Sequence, residues 1–116
     1  MLFVCYPRCT TCRKAQEWLE ARGESFESRD IKEQRPTESE LRDWQKRSGL
    51  PLRRFFNTGG LQYKALGLKE RLDTMSEDEQ FALLATDGML VRRPILVTEK
   101  GAAPGFLPEV WETLLD

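Results

Sequence analysis

Two cysteines three residues apart, Cys9 and Cys12 in the stretch Pro7-Arg8-Cys9-Thr10-Thr11-Cys12-Arg13-Lys14, are the residues of this chain whose type and spacing best suit chemistry. A Cys-x-x-Cys pair can close into a disulfide, with one thiol attacking and the second resolving whatever bond the first has made. The plainer alternatives are two half-buried small residues or half of a zinc site. A structural zinc site takes four ligands, whereas the chain offers three cysteines and no histidine. Without histidine, Ser-His-Asp and Cys-His catalysis are excluded, and proton handling falls to thiols, carboxylates, lysine or water.

The flanking residues predict how the pair is positioned. Leu2 to Tyr6 is a short apolar run rich in strand formers, stopped by Pro7. Thr10 to Arg22 reads as a helix, with Cys12, Ala15, Trp18, Leu19 and Arg22 on one face. Cys9 then falls at the helix N-terminus, where unpaired N–H groups and the positive end of the helix dipole stabilise a thiolate. Arg8, Arg13 and Lys14 add positive charge, so the Cys9 pKa is expected below the free thiol value of about 8.5, making it the attacking sulfur. Thr10 and Thr11 could bond that sulfur or merely cap the helix. Cys5, on the strand, reads as a buried small hydrophobe without redox role.

Composition bounds the remaining classes. A chain of 116 residues makes one domain, and its 40% hydrophobic and 32% charged residues are ordinary for a folded soluble protein. A formal net charge of -1 argues against wrapping nucleic acid. No run reaches the length of a membrane span, and Met1 to Cys5 lacks signal-peptide features, so a cytoplasmic location is expected. In that reducing compartment a Cys-x-x-Cys pair suits redox activity better than a permanent staple.

Further along, Gly23 is placed to end the first helix, and Ser25 to Ile31 is expected as a second strand. Thr37 with Glu40 forms a capping-box pattern before a helix carrying Leu41, Trp44 and Ser48 and stopped by Gly49. Pro51 to Phe56 fits one helical turn, and Asn57-Thr58-Gly59-Gly60 reads as a loop with glycines available for positive φ. Short helical pieces follow over Leu61 to Leu68. Ser76 with Glu79 opens another helix, with Phe81, Leu83 and Leu84 inward and Asp87-Gly88 as its stop. Leu90 to Thr98 is β-rich, with Pro94 at the start of the paired segment. Arg92 and Arg93 straddle the pleat, so one of them at most faces Cys9. Glu99-Lys100-Gly101 suits a turn, Ala102 to Phe106 a return strand, and Pro108 opens a helix with Val110, Trp111, Leu114 and Leu115 as its apolar stripe. Trp18, Trp44 and Trp111 are expected as core residues.

The order β-α-β, helical insertion, β-β-α resembles the thioredoxin-like fold, an α/β class with a mixed central sheet. Within it, Tyr6-Pro7-Arg8-Cys9-Thr10-Thr11-Cys12-Arg13-Lys14-Ala15 and Leu90-Val91-Arg92-Arg93-Pro94-Ile95 look like the arsenate reductase and Spx family, as does Phe55-Phe56-Asn57-Thr58-Gly59-Gly60 with Tyr63 and Leu66-Gly67-Leu68-Lys69. The resemblance implies a thiol-dependent oxidoreductase with Cys9 as nucleophile, Cys12 as resolving thiol and Arg93 beside the sulfur. It implies no metal or organic cofactor, and a substrate site formed with Thr10, Thr11, Arg93 and a cis Pro94; a plain strand-start proline is the alternative reading of Pro94. Glutathione or glutaredoxin is the candidate electron donor, and thiol or disulfide proteins are candidate partners. The family's arsenate reductases hold an oxyanion with three arginines. Arg93 matches the second, but the first falls on Asn57 and the third on Phe106, with Arg53 and Arg54 displaced. The second cysteine is similar to that of Spx, a regulator that binds the RNA polymerase α subunit. From Gly101 onward the only charges are Glu109, Glu112 and Asp116, unlike a basic Spx tail.

Overall fold

A computed structural model of the chain describes residues 1–115. Its central strand is β1 (Leu2–Cys5), flanked in the order β2-β1-β3-β4 by β2 (Glu27–Asp30), β3 (Ile95–Thr98) and β4 (Gly101–Pro104). β1 runs parallel to β2, with Cys5 opposite Asp30, and antiparallel to β3, with Phe3 opposite Leu96. The β3–β4 hairpin closes the other edge. A mixed sheet is what the β-α-β and β-β-α halves require, because only the first half has a helix crossing between its strands.

Alternation along the strands sends side chains to two separate cores. Phe3, Cys5, Leu96 and Ala103 face α1 (Thr10–Ala21) and α6 (Pro108–Leu115), packing on Cys12, Ala15, Leu19 and Trp111. Val4, Ile95 and Ala102 face the inserted helices. These are α2 (Glu38–Ser48), a 3₁₀ turn over Leu52–Phe55, α3 (Leu61–Ala65), α4 (Leu68–Arg71) and α5 (Glu77–Leu84). Trp44 and Trp111 are buried as expected, while Trp18 is half-buried and lies under the Arg22 guanidinium, 4.7 Å from its ring centroid.

Both capping boxes form: Thr37 and Glu40 exchange side-chain and backbone bonds at 3.0 and 3.1 Å, as do Ser76 and Glu79. Glu40 also accepts both guanidinium arms of Arg29, at 2.5 and 2.8 Å, tying β2 to α2. That paired donor set, against the opposing effect of burial, holds the Glu40 carboxyl at about 2.

Four local expectations are corrected. Gly59 and Gly60 do not use positive φ: Gly60 sits at φ -82, and the positive-φ glycines among the described residues are Gly23, Gly49, Gly67 and Gly105. A Cβ at Gly60 would come within 2.6 Å of the Asn57 side-chain nitrogen, the end of a flexible side chain, and 3.3 Å from the Asn57 carbonyl oxygen. Helix α5 ends at Leu84, before Asp87-Gly88; the Asp87 carboxylate instead accepts from the Met89 N–H and starts a 3₁₀ turn over Gly88–Leu90. Gly88 is required by close approach, since a Cβ would fall 1.8 Å from the Ile31 carbonyl oxygen. Val110 is 41% exposed and leaves the α6 stripe, and Arg22 lies outside the α1 core face.

Two substitutions test this frame. Glu40→Gln should lower stability by about 1–2 kcal/mol at neutral pH, discounted for partial exposure. Because the folded pKa is depressed, the wild-type contribution is present above the unfolded value of about 4.3 and disappears as pH falls toward 2. Urea melts of both proteins should therefore converge at low pH. Gly88→Ala should cost about 3 kcal/mol through the clash with Ile31, read as a lowered urea midpoint.

Candidate active site

β1 ends at Cys5, and the Cys9 N–H donates to the Tyr6 carbonyl at 2.9 Å, closing the turn that leads into α1. Cys9 is itself the N-cap residue, with extended backbone (φ -86, ψ 125) and no side chain capping the helix in the usual way. Its sulfur therefore sits over the open N–H groups of the first turn. Burial opposes ionisation of the half-buried Cys9. The backbone N–H of Cys12, the Cys12 thiol, the N–H of Thr11 and the Arg93 guanidinium outweigh it and bring its pKa below the ordinary thiol value.

Cys12 has the opposite character. It is 2% exposed on the inner face of α1, and burial together with the charges of Cys9 and Cys5 pushes it up to about 12. The Tyr6 N–H, 3.3 Å from the Cys12 sulfur, only partly offsets this. The two thiols one helical turn apart are thus shifted in opposite directions, Cys9 toward the thiolate and Cys12 toward the neutral thiol. Cys5 is buried in the same core and its pKa is raised, first by burial and then by the charges of Asp30 and Cys9.

The inserted segment delivers Arg93. Its guanidinium lies 5.2 Å from the Tyr6 ring centroid, donates to the Met89 carbonyl at 3.4 Å, and helps to lower the Cys9 pKa. Arg92 turns the other way, against Gly105. The Arg93–Pro94 peptide is cis, and the Pro94 carbonyl accepts from the Gly105 N–H at 2.8 Å. Asn57 holds the neighbouring loop: its N–H donates to the Leu90 carbonyl at 2.8 Å and its side-chain amide approaches the Met89 carbonyl at 3.5 Å. Arg93 and Asn57 therefore share one acceptor. Beside them opens a cleft of about 350 Å³, walled by Leu61, Gln62, Gly60 and Met89.

The expected electrostatic helpers differ. Arg8, Arg13 and Lys14 are exposed, and Arg13 folds back to the Pro7 carbonyl at 3.2 Å; none of them is among the leading causes of the Cys9 shift. Thr10 and Thr11 are exposed, and what this pair gives the sulfur is the backbone N–H of Thr11. Phe106, where a third arginine would fall, packs edge-on against Trp18 and Trp111 at 5.7 and 5.1 Å. Arg53 pairs with Asp73, and Arg54 is exposed. Tyr6, Met89 and Leu61 had no distinguishing periodicity in the sequence; the signal for Tyr6 was its place between strand and Pro7.

This thioredoxin-like architecture, with a cysteine at the first helix and an arginine before the cis proline, defines a class of thiol proteins. Residues 5–114 match the ArsC family, and the chain belongs to it. It is similar to the uncharacterised protein YusI of Bacillus subtilis (strain 168), 46% identical over 97% of this chain and 95% of YusI. An ArsC family related protein of Bacteroides fragilis superposes with a TM-score of 0.95 at 50% identity, covering 97% of this chain and 95% of that one. More distant is the regulatory protein MgsR of Bacillus subtilis (strain 168), 32% identical over 93% of this chain and 84% of MgsR.

Arg93→Met removes a donor to the thiolate, so the Cys9 pKa should rise while Cys12 stays protonated through neutral pH. Thiolate ultraviolet absorbance against pH reads this directly. An unchanged Cys9 titration would contradict the assigned contact.

Proposed function

We propose that this ArsC-family protein works by thiol–disulfide exchange, with Cys9 as nucleophile and Cys12 as resolving thiol. The observation that supports this reading is the opposed tuning of the two thiols: one depressed and half-exposed, the other buried and pushed up to about 12. The Cys9 thiolate attacks a substrate disulfide, forming a mixed disulfide and expelling one substrate thiolate. Part of what raises Cys12 is the Cys9 anion, and that part vanishes once Cys9 is in a disulfide. The expelled thiolate takes the Cys12 proton, Cys12 attacks the Cys9 sulfur, and the second substrate thiolate leaves. The protein ends as the Cys9–Cys12 disulfide, oxidised by two electrons, and a dithiol protein or two glutathione equivalents reduce it again.

In this reading Arg93 stabilises the charge on sulfur, and Thr10, Thr11 and the backbone at Pro94 border the bound substrate. Arsenate reduction is disfavoured, because Asn57 and Phe106 stand where two oxyanion-binding arginines would be and only Arg93 of the three faces the sulfur. The similarity to MgsR supports a second reading, a redox-sensing regulator whose Cys9–Cys12 disulfide alters a surface for the RNA polymerase α subunit. Pull-down with that subunit separates the readings, and its retention by one redox form favours the regulator.

Redox titration in glutathione buffers should give a Cys9–Cys12 potential near that of thioredoxin, about -270 mV. Cys12→Ser should accumulate a mixed disulfide on Cys9, and Cys9→Ser should abolish exchange with oxidised glutathione. Failure of the wild-type pair to close would overturn the proposal.

A further inference from the structure

Helix α3 has two faces of opposite character. Tyr63 points inward, buried edge-on against Phe56 with ring centroids 6.3 Å apart, and the helix packs on the 3₁₀ turn that carries Met89. Leu61, Lys64 and Ala65, on the three-and-four spacing of the other face, are exposed. Leu61 is 86% exposed, whereas the other exposed large apolar side chains among the described residues lie between 37% and 41%. One exposed leucine is ordinary on a protein surface, so its surroundings decide what it means.

Those surroundings are basic. From Arg53 to Arg71 the chain carries five cations against one anion, Glu70, although its formal net charge is -1. Lys64 and Lys69 wall one cavity of about 400 Å³ together with Tyr63 and Glu70, and Arg71 donates to the Leu66 carbonyl at 3.0 Å just beyond α3. Among the described residues Lys64 and Lys69 enter no ion pair, while Arg53 is held by Asp73. On its other side Leu61 borders the cleft that reaches Arg93. The Arg93 guanidinium lies over the Tyr6 ring, and the Tyr6 main chain bonds both thiol residues, its carbonyl accepting from the Cys9 N–H at 2.9 Å and its N–H donating to the Cys12 sulfur at 3.3 Å. The outer face of α3 and the thiol motif are therefore neighbours through Arg93 and Tyr6.

We propose that the outer face of α3 docks the protein with which Cys9 exchanges, and that this partner is acidic, covering Leu61 with apolar side chains and meeting Lys64 and Lys69 with carboxylates. The proposal rests on the thiol pair of the proposed function and adds the class of partner to it. An apolar anchor within a charged rim is the anatomy of a protein contact, and complementary charge speeds encounter and fixes orientation. The leucine at the centre favours protein over nucleic acid, whose phosphates use the cations alone. Once the partner is docked, the Cys9 thiolate attacks one sulfur of its disulfide. A bond to Cys9 forms, the partner's S–S bond breaks, and its second sulfur leaves as a thiolate. That thiolate takes the Cys12 proton, and Cys12 attacks the Cys9 sulfur and releases the partner as a dithiol. The partner has gained two electrons and the Cys9–Cys12 pair has lost them.

Three peptides of equal length, each carrying one cysteine as its 2-pyridyl disulfide, are mixed with the reduced protein, and release of pyridine-2-thione is followed by stopped flow. One is rich in glutamate and leucine, one keeps the glutamates without the leucines, and one keeps the leucines with lysines in place of glutamates. The first should react about tenfold faster than the third at low salt, and the advantage should shrink as salt is raised. Lys64→Glu with Lys69→Glu should abolish the acidic preference while leaving exchange with the neutral 2-hydroxyethyl disulfide unchanged. Leu61→Ser should remove the advantage of the first peptide over the second. An acidic preference that survives the double lysine change belongs to Arg93 or to the cations of α1 and overturns the proposal. Equal rates for acidic and basic peptides, in protein that exchanges normally with 2-hydroxyethyl disulfide, also overturn it and leave the proposed function standing. Binding of a DNA oligonucleotide that is lost with the two lysines assigns the patch to nucleic acid and overturns it too. Loss of exchange with every disulfide overturns both readings.

Discussion

A half-buried sulfur whose surroundings favour its negatively charged form is the feature around which this structure is arranged. Burial alone drives a thiol toward its neutral form, and at Cys12 and Cys5 it does so. At Cys9 the first-turn N–H groups of α1, the Cys12 S–H and the Arg93 guanidinium reverse the sign. These donors come from distant parts of the chain. The helix and Cys12 follow β1 directly, whereas Arg93 arrives only after the whole inserted segment has packed on the opposite face of the sheet.

That separation explains the two cores. The α1 and α6 side fixes Cys12 and the helix axis through Ala15, Leu19 and Trp111. The inserted side fixes the Met89–Arg93 segment through Phe55, Phe56, Leu90 and Val91, with a bridge between Phe56 and Val91. The Asn57 and Arg92 backbone N–H groups add bonds to the Leu90 and Phe55 carbonyls, both 2.8 Å. Among the described residues Arg93 is placed by backbone pairing rather than by an ion pair, which leaves its charge available to the sulfur. Tyr6 links the two sides: its N–H serves Cys12 and its ring supports Arg93.

Much of this was legible in the residues. Capping boxes at Thr37 and Ser76, the stop at Gly49 and the proline before β3 are local rules, and the structure follows them. Cys9 at the start of α1 followed from Pro7 and the spacing of Cys12, Ala15 and Leu19. The misread features depend on tertiary contact. Nothing local shows that Gly88 meets the Ile31 carbonyl, or that Gly60 is hemmed in by Asn57 rather than bent. Arg8, Arg13 and Lys14 are near Cys9 in sequence yet solvated, while the cation that faces the sulfur lies in a segment more than half the chain away. Leu61 and Met89 became site residues only through the packing of short helices whose ends the sequence marks weakly.

The most direct test of the polarised thiol pair is the pH dependence of iodoacetamide labelling, mapped to each cysteine in the reduced protein by mass spectrometry. The expected result is labelling of Cys9 alone at neutral pH, with a midpoint below that of a free thiol, while Cys5 and Cys12 react only on unfolding. Labelling of Cys12 ahead of Cys9, or a Cys9 midpoint at or above the free-thiol value, would contradict the assignment of nucleophile and resolving thiol.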